Sequence, residues 1–156
     1  MDCLPEGPSA RAKETVKWPV QGVMAYHFDF DPNNSILRVC FQDQIDDAEI
    51  REYDANVRKV LAKIHPRGAI VDASAISKLD VSSAMVWTLA KYEVALQDQT
   101  VPIVVIAPPD HVYGMFRMFQ IMSEEKITNL IVVRSAGEAY TRLGVTPKFE
   151  PLPELP

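Results

Sequence analysis

GAIVDASAISKLDVSSAMVWTLAKYEVAL, residues Gly68 to Leu96, decides the fold. Ala69, Ile70 and Val71 form a short apolar run that ends at Asp72, and a run of this kind between polar residues reads as a strand buried on both faces. A short polar connection follows. From Asp80 the spacing changes: Val81, Met85, Leu89, Tyr92 and Leu96 recur at three- and four-residue steps, which predicts an amphipathic helix with Asp80 as its N-cap. Ser82 and Ser83 then fall in the first turn, where backbone N–H groups have no partner and the helix dipole favours negative charge. A hydroxyl there is well placed to carry a phosphate.

Upstream, residues 1 to 21 are rich in Pro, Gly, Ser and charge without a sustained period and read as a flexible N-terminal arm, with Trp18 and Val20 able to dock it. Val23 to Phe30 alternates. Tyr26, Phe28 and Phe30 share one face and His27 and Asp29 the other, the pattern of a half-exposed strand, and Ile36 to Phe41 is its antiparallel partner across the DPNNS turn. This hairpin is expected to form the edge of the sheet. Asp46 or Asp47 caps the next helix with Glu49 at capping-box spacing, and Ile50, Tyr53, Val57, Val60, Leu61 and Ile64 carry its apolar face to the stop at Pro66.

Downstream, VPIVVIA at 101 to 107 is a buried strand, and PPD at 108 to 110 opens a helix bearing Val112, Met115, Phe116, Phe119 and Met122. Ile127 to Val133 is a further strand, SAGE at 135 to 138 is a capping box, and Gly144 sits where a left-handed C-terminal residue is wanted. The Pro-rich tail, 147 to 156, is expected to be a loose or docked extension. The whole is an α/β layered domain, 22 to 146, with a mostly parallel four- to five-stranded sheet, an antiparallel N-terminal edge hairpin and about four helices.

Composition narrows the function. At 156 residues, 47% hydrophobic and 24% charged, the chain suits one domain with a real core. A net charge of -5 argues against nucleic acid or an anionic membrane as partner, since both call for a dense cationic face. No apolar run approaches the roughly 18 residues of a membrane span. The start lacks the apolar core of a signal peptide, and the two cysteines, Cys3 and Cys40, make neither a disulfide framework nor a CxxC pair, so the expected setting is the cytoplasm. With no GxGxxG or GxxxxGK[ST] loop, and with His27, His65 and His111 scattered, no cofactor, metal or acid/base constellation is indicated.

Against this background the segment Asp72 to Ala90, DASAISKLDVSSAMVWTLA, is similar to the signature of the STAS domain family, the bacterial anti-sigma-factor antagonists. That signature is a strand ending in Asp or Asn, a polar connection with one apolar residue, then Asp-Ser-Ser-Gly opening an apolar helix. Aligned without gaps, Asp72 and Ser74 fall on the strand-end pair, Ile76 on the apolar connection and Asp80 on the motif aspartate. Ser82 falls on the serine that the family phosphorylates. Val81 replaces the first serine and Ser83 the glycine, leaving a Cβ where a partner's backbone would approach. The order of elements from Met24 to Gly144 also resembles the family. The resemblance implies a non-enzymatic, cytoplasmic, bacterial signalling module that docks a serine-kinase-type anti-sigma factor or scaffold through Asp72, Ser74, Asp80 and Ser83, switched by phosphorylation at Ser82.

Other readings stay open beside it. Asp80, Ser82 and Ser83 are equally the residues of an ordinary helix cap. A receiver-type aspartate at Asp72 would need an acidic pair, for which Asp43 and Asp46 are available, and a lysine where Arg134 stands. Met115, Phe116, Met118, Phe119 and Met122 form an adaptable apolar cluster, so the alternative function is a domain of the same fold without a switch, acting as a homodimer or holding a small apolar ligand or lipid.

Overall fold

The structure, a computed structural model, describes residues 25–91, 101–124 and 129–152. The expected N-terminal arm lies outside them. Six strands form one sheet in the order β5-β4-β3-β2-β1-β6. They are β1 (Tyr26–Asp31), β2 (Ile36–Asp46), β3 (Gly68–Asp80), β4 (Ile103–Ile106), β5 (Leu130–Val133) and β6 (Glu150–Pro151). The helices among the described residues are α1 (Asp47–Lys63), α2 (Ser83–Lys91), α3 (Asp110–Met122) and α4 (Ala136–Leu143). β2 to β5 pair in parallel and β1 runs antiparallel to β2, which is the expected layered α/β architecture.

The hairpin turn is built by Asp31, whose carboxylate accepts from the backbone N–H groups of Asn33 and Asn34 and from the Asn34 amide. Beyond β1 lies β6, so the hairpin is not the edge. The Pro-rich segment docks there because an outermost strand can spare the N–H that Pro151 lacks, while Leu152 N–H still donates to Phe28 O at 3.1 Å.

β3 does not stop at Asp72. It continues to Asp80 because β2 also runs on, to Asp46, and the two stay paired through two register shifts until Asp46 lies opposite Asp80. At the second shift β3 carries the extra residue, Ser77, and Asp43 facing it on β2 takes a left-handed φ of 61°. Asp80 is therefore the last residue of a strand and not a cap. Ser82 caps α2 instead: its Oγ accepts from Met85 N–H at 3.0 Å and its carbonyl from Val86 N–H. Of the expected stripe, Tyr92 and Leu96 lie outside the described residues, as do 127 and 128 of the expected β5.

Elsewhere the caps follow the sequence. Asp46 and Glu49 make a reciprocal capping box on α1. Ser135 caps α4, but the Glu138 carboxylate takes the N–H of Arg134 and not that of Ser135. Gly144 closes α4 at φ 70°, a conformation that costs an L-residue about 1–2 kcal/mol. One face of the sheet packs on α1, α2 and α3 around Tyr26, Phe28, Phe41 and Tyr53, whose rings meet edge-on or tilted except for Phe28 and Tyr53, which stack. The other face packs Ile36, Ile70, Val104 and Val133 under α4.

Candidate functional site

Because β2 and β3 run parallel and end level with each other, α1 and α2 start side by side beyond the sheet's carboxyl edge, the usual place for a site in such folds. Asp47, the first residue of α1, reaches across to the start of α2. Its Oδ1 accepts from Ser82 N–H at 2.8 Å and its Oδ2 from the Ser82 hydroxyl at 2.7 Å. Ser82 is thus exposed, caps its own helix and is held by a carboxylate of the neighbouring one. These two donations, backbone first, hold the Asp47 carboxyl below the usual carboxylate range. By sequence alone Asp46 and Asp47 are alternatives for the cap of α1. The signal was the doubled acid itself: one closes α1, and the other faces Ser82.

The expected docking residues separate into two groups. Asp80, Ser82 and Ser83 are exposed together at the carboxyl edge, and Trp87, one turn beyond Ser83 and 46% exposed, extends this surface along α2. Asp72 lies elsewhere. It pairs with Cys40, six residues of β2 and roughly 20 Å from the Asp46–Asp80 pair. It is 1% exposed, and its carboxylate accepts from the N–H and the hydroxyl of Ser74. Those groups sit at the first register shift, where a ladder partner is lost, so Asp72 satisfies a bulge and does not face a partner. The same separation leaves Asp72 without the acidic pair a receiver site needs, since Asp46 is at the far end of the strand.

The other face of β1 and β2 is not half-exposed as the alternation predicted. Asp29 is 5% exposed, and a single oxygen, Oδ2, faces Arg38 Nη2 at 2.7 Å, Arg38 Nε at 3.1 Å and His27 Nε2 at 3.4 Å. Burial pushes the Asp29 carboxyl up, but His27 and Arg38 more than offset it and leave it below the ordinary value. Cys40 Sγ lies near the same oxygen, so His27, Asp29 and Cys40 have the spacing of a metal-ligand trio. The chemistry does not fit a cation. Cys40 is disulfide-bonded and so offers no thiolate, and the Arg38 guanidinium already occupies the carboxylate.

Beneath the helices lies a cavity of about 210 Å³, walled by the sheet, α1, α2 and α3. Met115, Phe116 and Phe119 line it, whereas Met118 turns outward, 37% exposed, and Met122 lies outside the wall. The expected α3 cluster therefore divides between a cavity wall and a surface. The space is partly open to solvent and lined almost wholly by apolar side chains. Space on this scale is a candidate binding site. Its α1 wall is Ile50, Tyr53, Val57 and Leu61, all on the apolar face that the helical period marks.

Acid is expected to unfold the protein through three carboxylates. Asp29, Asp31 and Asp47 all titrate below their unfolded value in the folded chain. Groups shifted down contribute fully above the unfolded value and lose their contribution as pH falls through the folded one. The urea midpoint should therefore be flat near neutrality and fall from about pH 4 downward. Asp47→Asn should make that fall shallower; an identical pH profile for this variant would mean that the Asp47–Ser82 contact is not formed in solution.

The chain matches no protein-family model, and no curated protein matches it in sequence.

Proposed function

We propose that the protein is a non-enzymatic regulatory module of STAS type, which binds a protein partner through the start of α2 and is switched by phosphorylation of Ser82. The observation that carries this reading is the position of the Ser82 hydroxyl, exposed at a helix N-terminus and donating to Asp47. Asp80, Ser83 and Trp87 provide the surrounding surface, with Trp87 as the large side chain such interfaces use as an anchor. A phosphate at Ser82 adds about 1.5 to 2 negative charges and removes the hydroxyl proton that Asp47 accepts. It would both charge the docking surface and repel the carboxylate beside it, so partner binding would be lost while the sheet stays intact. A serine-kinase-type anti-sigma factor or scaffold is the kind of partner that this arrangement suits.

The described helices include none long and apolar enough to cross a membrane. The reading sets the protein in the cytoplasm, where serine kinases work. A disulfide at Cys40 pulls the other way, toward an oxidising compartment, and fractionation of the native cells decides between them.

The test combines modification and binding. Intact-mass analysis of the chain from its own cells should find a fraction carrying one phosphate, absent from Ser82→Ala. Immobilised Ser82→Ala should retain a specific partner that Ser82→Glu does not. If Ser82 is never modified, or both variants hold the same partner equally, the switch is wrong.

A further inference from the structure

We propose that the cavity between the sheet and α1, α2 and α3 is a binding site for an uncharged small molecule with an alkyl body. The proposal concerns a different part of the molecule from the Ser82 surface and does not depend on it. It develops the ligand-holding alternative read from the α3 sequence, placing the ligand beneath that helix.

The first support comes from the two faces of the sheet. Ile70 and Val104, on the face under α4, are 1% and 0% exposed. Their neighbours Ala69, Val71 and Ile103 point to the opposite face near the amino ends of two central parallel strands, where both faces are normally covered, and yet they keep accessible surface. The α1–α3 layer leaves these three positions accessible while it buries Leu37, Val39 and Val105 on the same face. All three residues line the cavity.

The chemistry of the wall selects the occupant. Apart from Asp54, every lining residue among those described is uncharged. The Asp54 carboxylate is engaged by Arg58 Nε at 3.0 Å, and no cation lines the space among the described residues. An anionic head would meet a carboxylate with no lining charge to neutralise it, so a fatty acid is disfavoured relative to its alcohol. The Tyr53 phenol, kept protonated by burial, is the neutral polar group in the wall able to donate to or accept from a hydroxyl. Met115 adds a side chain that can follow the shape of an alkyl chain. At about 210 Å³ the space exceeds the roughly 150 Å³ of an engineered apolar cavity that takes up benzene.

The test uses the full chain with decan-1-ol and decanoate as matched probes, following thermal unfolding. Decan-1-ol should raise Tm saturably, by roughly 5–10 °C at about a hundred times its Kd, and decanoate should bind at least tenfold more weakly. Val71→Phe extends a side chain into the space and should abolish the response while keeping the native circular dichroism spectrum. Ala69→Leu intrudes less, and serves if the larger ring prevents folding. The assignment is overturned if wild type shows no saturable response, if the folded variants respond as wild type does, or if decanoate binds as tightly as decan-1-ol.

Discussion

Arg38→Met should cost the protein about 3–5 kcal/mol, read as a fall in its urea midpoint. The side chain is an almost buried strut. It is 11% exposed, gives both Nε and Nη2 to Asp29 Oδ2, and lays its guanidinium 4.0 Å from the centre of the Phe149 ring. Tyr140 of α4 also bonds to it. One residue thus ties β1, β2, α4 and the segment leading into β6. Removing the cation leaves the Asp29 carboxylate buried with His27 alone, and the penalty is mainly that of an uncompensated charge, not the worth of the pair. Asp29→Asn added to Arg38→Met should therefore recover a substantial part of the loss. Because Phe149 loses its cation as well, the Leu152 amide, which donates to Phe28 O from the β6 side, should exchange faster in the single variant. A loss below about 1 kcal/mol would place this pair with solvated surface bridges.

Much of the frame could be read from local patterns. The Asp46–Glu49 box, the VPIVVIA strand and the Gly144 stop each rest on residues that act within a few positions of themselves, so the local pattern and the fold agree. What was missed depends on pairing between distant segments. ASAISKL has no strong alternation, and it becomes strand only because β2 extends beside it through two bulges. That extension moves the cap from Asp80 to Ser82; both are good caps by residue type, and the strand's end decides between them. The second face of the hairpin looked solvated because Asp29 and Arg38 are polar, yet antiparallel register sets them opposite each other and lets them be buried as a pair. The α3 cluster was visible as apolar and adaptable, but a cavity is a property of three helices and a sheet together, and no single period encodes the gap between them.

The contact between α1 and α2 is expected to make Ser82 modification a conformational signal as well as a charge. Ser82→Ala should cost about 1 kcal/mol through the lost cap on Met85 N–H, with a smaller further loss because the bond to Asp47 is exposed and weakened by solvent. Ser82→Glu should cost more than Ser82→Ala, because it also sets a second carboxylate beside the Asp47 oxygens that received the serine's two donors. The excess should shrink in an Asp47→Asn background, whose amide oxygen still accepts but carries no charge. That double-mutant cycle, measured by urea unfolding in low salt, isolates the repulsion. Raising the salt should shrink the excess too, since both groups face water. An equal cost for Ala and Glu in both backgrounds would mean that position 82 feels no carboxylate. Any effect of phosphate there would then have to arise on the partner's side of the interface, with the start of α2 unchanged by it.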